Sequence, residues 1–350
     1  MKKYISGLVV GKFTPLHEGN MSVIRRAAEE CETVYIISYA YHRHDSKYGS
    51  DRRGEWLEEV VKIYDNVEFI IADGNYDKPK ENDADYKHRD FCASLLIEIF
   101  GTTVQCVYGA DDYIPGFAQH LQDYFKNLFK DNAPTVDYVM LDRKVIDISG
   151  TRLRYMIKDM NADANQFLPS FVLKDLIHKV LFLGPESSGK TTLVELLGST
   201  CNTVPEYGRT LYDERGGKLY YEDMSKIAIK QAETEDAKAR QLSMSDYLFC
   251  DTSALITEFY SMKWFGMVSD DLFYMAQESF TRYEHVYVCV PDFPMVQDGT
   301  RQDEKFRLEE FKWILDELDK NKVKYKMLIG STEDRLNYVK SDLIRSFVGE

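Results

Sequence analysis

The sequence predicts an α/β protein built from two tandem parallel-sheet domains. Short apolar segments of strand length alternate with helical segments, and the alternation restarts near residue 180. The length of 350 residues also fits two domains, since a domain commonly has about 150 residues. A polar segment at 161–165 is followed by Pro169, so we expect a first domain at 1–168 and a second at 169–350.

The first domain is predicted from a repeated order of elements. Apolar strands are expected at 4–10 and 33–38, with a glycine-containing loop and a helix between them. Strand, loop, helix and strand within about 35 residues is the pattern of a right-handed βαβ unit. Further strands are expected at 67–72, 104–108 and 136–141, and further helices at 53–64, 86–100 and 148–156.

The second domain repeats this order. It opens with a strand at 180–183 and a loop at 184–189, and residues 190–197 are expected to form the first part of a helix. Later strands are expected at 247–250, 286–290 and 324–328, and later helices at 304–318 and 332–347. Ligands of open parallel sheets bind at the carboxyl ends of the strands, so we expect site residues where these strands end.

The composition excludes several classes of function. The chain has 44 Lys and Arg against 58 Asp and Glu, a net charge of −14, and both halves are acidic. A general nucleic-acid partner is therefore disfavoured, because the phosphate backbone requires a basic surface. No segment approaches the ~20 apolar residues of a membrane span, and no secretory signal is recognisable. We expect a cytoplasmic protein with no membrane partner, whose six cysteines stay reduced.

Residues 184–191 read G-P-E-S-S-G-K-T and match the phosphate-loop pattern G-x-x-x-x-G-K-[ST] between a strand and a helix. In such a loop the backbone N–H groups surround a polyphosphate, Lys190 reaches its β and γ oxygens, and Thr191 ligates Mg²⁺. The alternative is a glycine-rich turn with an incidental lysine. The candidate ATP-binding residues here are Gly184, Glu186, Ser187, Ser188, Gly189, Lys190, Thr191 and Thr192.

Three further segments of the second domain carry candidate residues. Asp251 ends an apolar strand, where it would join Thr191 in holding Mg²⁺ or accept the proton of an attacking hydroxyl; alternatively, it caps the next helix. We expect a loop at 206–209 whose side chains contact substrate, and a lid that delivers Arg301 to the transferring phosphate. A solvated loop is the alternative for both.

Two segments of the first domain predict a site for a triphosphate. Residues 11–20 read G-K-F-T-P-L-H-E-G-N after the first strand, and residues 148–154 read I-S-G-T-R-L-R. Ser149 and Thr151 can cap a helix that carries Arg154 about one turn along. The candidate ATP-binding residues are Gly11, Lys12, Phe13, His17, Asn20, Ser149, Thr151 and Arg154, with Lys12 and His17 as catalytic candidates.

These motifs carry a family resemblance. The first pair resembles the signature of the HxGH nucleotidyltransferases, and the phosphate loop followed by E-Y-G-R is similar to that of ribosylnicotinamide kinases. With F-L-P-S-F before the kinase strand, the chain resembles the NadR-like bifunctional nicotinamide-nucleotide adenylyltransferase / ribosylnicotinamide kinases over nearly its full length. The resemblance implies a Rossmann-like HxGH domain followed by a P-loop kinase domain.

The resemblance also implies the reactions and the ligands. The kinase would phosphorylate nicotinamide riboside with ATP, and the transferase would join nicotinamide mononucleotide to the AMP part of ATP, giving NAD and pyrophosphate. Mg²⁺ is the implied cofactor, and no nucleic-acid partner is implied. The resemblance assigns phosphate binding to Lys12, His17, Ser149, Thr151 and Arg154, and riboside contacts to Glu206, Tyr207 and Arg209. In the kinase it also carries over the phosphate loop with Lys190, and Asp251 as the catalytic or metal-associated carboxylate. Arg301 remains a catalytic candidate from the predicted lid alone.

Two departures from the family pattern limit these expectations. Some members begin with a helix-turn-helix domain, whereas this sequence starts directly at the transferase strand, so we do not expect transcriptional regulation. Asn20 stands where the family has the second histidine of its signature. An amide donates a hydrogen bond but cannot become cationic, so we expect a slower transferase. Two alternatives remain open: a kinase whose transferase domain has no useful turnover, and a protein that senses nucleotides without catalysis. The chain could also form a homo-oligomer.

Overall fold

The computed structural model describes residues 2–41, 48–74, 76–142, 146–199, 201–294 and 303–348. The chain forms two compact units, one of residues 1–158 and 163–172, the other of residues 159–162 and 173–350. In the described part of the chain, no helix is long and apolar enough to cross a membrane. The cysteines are free thiols, all buried except Cys201.

The first unit alternates strands and helices, and its five strands overlap the predicted segments, but the helix at Ile114–Phe129 was not predicted. Its strands are β1 (Tyr4–Gly11), β2 (Cys31–Ser38), β3 (Val67–Ile71), β4 (Cys106–Gly109) and β5 (Asp137–Met140). Its helices are α1 (Glu18–Glu30), α2 (Ser50–Ile63), α3 (Asp85–Glu98), α4 (Ile114–Phe129) and α5 (Gly150–Lys158). Among the described residues, the strands form one parallel sheet in the order β3-β2-β1-β4-β5.

The core of the first unit fixes where its strands end. β1 lies at the centre of the sheet, where Leu8 pairs with Tyr35 of β2 and Val107 of β4. Leu8 and Val107 pack with apolar residues of α4, including Phe117 and Leu121. Because helices cover a parallel sheet, its strands read as continuous apolar segments. β1 ends at Gly11, on the side of the sheet where the carboxyl ends of the strands lie, and the 12–17 segment begins there.

The second unit has the same layered order. Helix α6 (Ser170–Leu176) leads into its first strand. Its strands are β6 (His178–Leu183), β7 (Thr203–Val204), β8 (Tyr247–Asp251), β9 (His285–Cys289) and β10 (Lys326–Leu328). Its helices are α7 (Lys190–Leu197), α8 (Tyr207–Glu214), α9 (Tyr221–Ala239), α10 (Ala254–Phe265), α11 (Asp270–Glu278), α12 (Glu304–Lys320) and α13 (Thr332–Val348). The described strands form a parallel sheet in the order β10-β9-β6-β8-β7.

The central strand of this second sheet positions the phosphate loop. Within β6, Phe182 pairs with Asp251 at the end of β8, and Leu183 pairs with Val288 of β9. The loop that follows β6 therefore emerges between the ends of β8 and β9. The predicted fold class, two tandem parallel-sheet α/β domains, is confirmed.

Candidate active sites

The phosphate loop of the second unit takes a backbone path that requires glycine. Gly184 has a φ of 143° and Gly189 a φ of 83°, values that side chains rarely allow. A Cβ at Gly184 would also lie 2.7 Å from the carbonyl oxygen of Cys289 in β9. Gly189 is the N-cap of α7. The loop thus passes close to β9 and ends at a helix N-terminus, where unpaired N–H groups favour anions.

Side chains of the loop fold back onto its own carbonyl groups. The Lys190 ammonium donates to the carbonyl oxygens of Gly184, at 2.7 Å, and Pro185, at 3.0 Å. The Ser188 hydroxyl donates to the Pro185 carbonyl at 2.8 Å. Lys190 therefore lies within the curve of the loop, where a phosphate-binding lysine is required. Thr192, by contrast, is exposed on α7.

Asp251 and Thr191 meet beside this loop. The Thr191 hydroxyl donates to Asp251 Oδ2 at 2.5 Å, and Asp251 is 1% exposed. Burial raises the pKa of Asp251, and the Lys190 charge acts in the opposite direction. Ser253, and not Asp251, is the N-cap of α10, so the helix-capping alternative for Asp251 is wrong.

The same pair of side chains fits a divalent cation. Among the described residues, Asp251 Oδ1 is buried without a hydrogen-bond partner, as are the hydroxyls of Thr252 and Ser253. A buried carboxylate oxygen normally has a partner, and carboxylate and hydroxyl oxygens are ligands that Mg²⁺ prefers. The donor set beside the phosphate loop therefore suits Mg²⁺.

The predicted loop at 206–209 is wrong, because α8 begins at Tyr207. Glu206 is the N-cap residue, and a carboxylate is favourable at a helix N-terminus. The Tyr207 N–H donates to Gln231 Oε1 of α9 at 3.0 Å, and its ring packs on an apolar cluster that includes Ile227. Glu206 and Arg209 line the adjoining cavity, whereas Tyr207 does not.

This cavity of about 220 Å³ is acidic and aromatic. Tyr260 and Trp264 lie in its wall with ring centroids 4.6 Å apart. The Tyr260 hydroxyl donates to Glu186 Oε1 at 3.2 Å and to Glu310 Oε2 at 3.3 Å. Burial raises the pKa of Glu206 to about 7, and the nearby Asp251 charge adds to the rise. Arg301, predicted to reach the transferring phosphate, lies outside the described residues.

In the first unit, His17 and Asn20 form a reciprocal cap at the start of α1. The Asn20 N–H donates to His17 Nδ1 at 3.3 Å, and the His17 N–H donates to Asn20 Oδ1 at 3.2 Å. An Nδ1 that accepts a hydrogen bond places the proton of a neutral imidazole on Nε2. The Asn20 oxygen is similarly engaged, which leaves its NH₂ group as the donor.

Helix α5 brings the second signature segment to the same place. Arg154 Nη1 donates to the carbonyl oxygen of Thr14 at 2.6 Å, and Nη2 donates to the Thr151 hydroxyl at 3.0 Å. The Ser149 hydroxyl accepts from the Arg152 N–H at 3.2 Å, as expected of a cap. Thr151 does not cap the helix, because it lies inside the first turn.

The eight predicted ATP-binding residues of the first unit all line one cavity of about 450 Å³. Lys12 Nζ lies 3.1 Å from Glu81 Oε1 in an exposed ion pair. Gly11 lies against the Phe13 ring, and a Cβ there would lie 2.9 Å from that ring. The structure therefore brings together the two signature segments, although they lie more than 120 residues apart in sequence.

Comparisons with known proteins agree with both units. Residues 179–335 match a family described as "AAA domain". The chain is 26% identical to the trifunctional NAD biosynthesis/regulator protein NadR of Escherichia coli (strain K12), over 100% of this chain and 85% of that protein. The predicted resemblance to NadR is confirmed. The fold also matches crystal structures of NadR in complex with NR, with a TM-score of 0.64, and with NAD and AMP-PNP, with a TM-score of 0.63. Each of these two NadR chains is 19% identical to this chain, and each match covers 100% of this chain and 98% of the NadR chain.

Beside the NadR-like motifs lie residues that the sequence analysis missed. Glu81 contacts Lys12 in the first cavity, and Tyr260, Trp264 and Glu310 line the second. Glu310 could have been noticed in the sequence, because an acidic residue on the buried face of an amphipathic helix is unusual. Nothing in the sequence singles out Glu81, because it lies in an irregular, polar segment.

Proposed function

We propose that the chain is a bifunctional NAD salvage enzyme. The second unit phosphorylates nicotinamide riboside to nicotinamide mononucleotide, and the first unit transfers adenylate from ATP to the mononucleotide. The observation that carries the proposal is that each unit gathers its own signature residues around a separate cavity at the carboxyl ends of its strands. We assign the transferase to residues 1–168 and the kinase to residues 169–350.

In the kinase reaction, the primary hydroxyl oxygen of the riboside attacks the γ-phosphorus of ATP, and the bond to the ADP oxygen breaks. Lys190 and the loop N–H groups hold the phosphates, while Asp251 accepts the hydroxyl proton or holds the metal. When bound by Thr191 and Asp251, Mg²⁺ neutralises charge on the phosphates. The nicotinamide ring is a pyridinium cation, which the acidic and aromatic cavity suits.

In the transferase reaction, a phosphate oxygen of the mononucleotide attacks the α-phosphorus of ATP, and pyrophosphate leaves. The attacking oxygen is already ionised, so no general base is needed. The protein must hold two anions in line and stabilise the charge on pyrophosphate. His17, Asn20 and Arg154 supply donors from two helix starts, and Lys12 exchanges Glu81 for a phosphate.

We further propose small molecules, rather than nucleic acid, as the ligands, because the chain has a net charge of −14. Free thiols are typical of the reducing cytoplasm, and we propose this compartment.

The test supplies the purified chain with ATP, Mg²⁺ and either nicotinamide riboside or its mononucleotide, and separates the products by chromatography. We expect mononucleotide from the riboside and NAD from the mononucleotide. Lys190→Ala should abolish only the first product, and His17→Ala should reduce only the second, so each variant is the control for the other. Absence of both products from the wild-type chain would refute the proposal.

A kinase with a weakened transferase is the second candidate, and Asn20 is the observation that favours it. Its amide lines the cavity in place of a group that can become cationic. Mononucleotide from the riboside, without NAD from the mononucleotide, would identify this second candidate.

A further inference from the structure

Two buried arginines lie against the phosphate loop of the second unit. Arg307 of α12 and Arg335 of α13 are each 1% exposed. Arg307 donates to the carbonyl oxygens of Glu186, at 3.0 Å, and Ser187, at 3.1 Å. Arg335 donates to the next carbonyl oxygen, that of Ser188, at 2.8 Å. Three consecutive peptide groups of the loop are thus held by two guanidinium groups.

These bonds determine which way the loop N–H groups point. In a trans peptide the carbonyl and the N–H of the next residue lie in one plane and point in opposite directions. Carbonyls turned toward the arginines therefore turn the N–H groups of Ser187, Ser188 and Gly189 to the other side. Ser187 also has a φ of 58°, which is uncommon without glycine. A path of this kind persists only when surrounding groups hold it.

Other donors of both arginines anchor the loop to the segment that follows β9. Arg307 Nη1 donates to the Phe293 carbonyl at 3.0 Å and is paired with Glu304. Arg335 donates to the Val290 carbonyl at 2.9 Å and is paired with Asp292. These contacts use the fixed fork of the guanidinium, which a lysine ammonium cannot reproduce.

We propose that Arg307 and Arg335 are positioning residues of the kinase reaction, which hold the peptide planes of 186–189 so that their N–H groups face the phosphates of ATP. This inference rests on the proposed kinase function. It requires the loop to bind phosphate mainly through preorganised N–H groups. The arginines act through the loop and need not touch ATP.

The test compares Arg307→Lys and Arg335→Lys with Arg282→Lys. Arg282 is also largely buried in the second unit, but it is bonded to Glu235, at 2.7 Å, and Asp236, at 2.6 Å. Kinase rates are measured with ATP varied and then with riboside varied, counting mononucleotide plus NAD.

We expect each of the first two variants to lower kcat/KM for ATP by about tenfold or more, since loop contacts are lost. The KM for riboside and the rate of NAD formation from mononucleotide should stay within about twofold of wild type. Arg282→Lys should leave the KM for ATP unchanged. Unchanged ATP kinetics in both folded variants, or an equal loss in Arg282→Lys, would overturn the inference.

Melting temperatures establish that each variant is folded at the assay temperature. A variant that does not fold is replaced by the glutamine variant at that position, which keeps an N–H donor without the charge. Should the wild-type chain make no mononucleotide, the proposed function fails by itself. The positioning roles are then tested by titrating AMP-PNP with Mg²⁺ into proteins that all carry His17→Ala, which weakens binding by the first unit. The arginine variants must still lose AMP-PNP binding by the second unit.

Discussion

Glu310 is a buried carboxyl group whose protonation should be linked to the stability of the second unit. It is 1% exposed, and its Oε2 accepts from the Glu186 N–H and the Tyr260 hydroxyl, each at 3.3 Å. Burial raises the pKa of Glu310 from 4.5 to about 7; Lys190 opposes the rise, and the charges of Glu186 and Glu206 add to it. We predict that Glu310→Gln stabilises the second unit more at pH 8 than at pH 5.

The sign follows from the proton balance. Between pH 4.5 and about pH 7, the folded chain keeps a proton at Glu310 that the unfolded chain releases. The free energy of unfolding therefore falls as pH rises through this range. The difference between the two pKa values corresponds to about 3 kcal/mol, of which about 2.5 kcal/mol develops between pH 5 and pH 8. Glutamine keeps an acceptor oxygen but does not titrate.

The assay is urea unfolding at pH 5 and pH 8, followed by the fluorescence of Trp264 and Trp313. All proteins carry Trp56→Phe, which removes the tryptophan of the first unit. Glu309→Gln is the matched control, since Glu309 is exposed on the same helix, and its effect should change little with pH. An equal effect of Glu310→Gln at both pH values would refute the reasoning.

Four further changes should separate the two activities. Asn20→His should raise the rate of NAD formation without changing the kinase, because a histidine can become cationic; a flat or lower rate would contradict the charge argument. Asp251→Asn should lower mononucleotide formation by about 100-fold or more, with NAD formation from mononucleotide retained. Arg154→Gln should lower kcat/KM for ATP in the transferase by about tenfold, with an unchanged kinase as the control. The affinity for riboside should rise with pH through about 7 as Glu206 ionises. Glu206→Gln should weaken that dependence, and Glu310 of the same cavity, whose pKa is also about 7, should account for the part that remains. A dependence as steep as that of the wild type would exclude Glu206.

The sequence was most informative about buried strands and about helices that begin at a motif. β6 and β8 read as apolar segments because both faces of a parallel sheet are covered, and α7 begins at Lys190 as predicted. No helix was predicted at α4, α6, α9, α10 or α11, and the start of α8 was predicted to be a loop. In α10, five of the first six residues are buried, so buried residues lie on more than one side of the helix. Its sequence therefore shows no apolar stripe with the period of a helix.

The candidate sites were predictable where the chemistry is local in sequence. The phosphate loop and the His17 segment each have a fixed spacing, because a strand-to-helix turn builds them. The groups that hold the phosphate loop come from far along the chain: Glu310 bonds to Glu186 across 124 residues, and Arg335 bonds to Ser188 across 147. Only tertiary packing brings such pairs together, so spacing in the sequence carries no signal for them.

The geometry around Asn20 bears on why we expect the transferase to be slow. Its oxygen accepts from the His17 N–H and its own N–H donates to the imidazole, so the capping arrangement that orients His17 is present without a second histidine. What Asn20 cannot supply is positive charge beside the phosphates. A deficit of charge is screened by salt, whereas a deficit of geometry is not. The gain in Asn20→His should therefore shrink as ionic strength rises, and a gain that is independent of salt would indicate that the histidine acts through its shape or its hydrogen bonds.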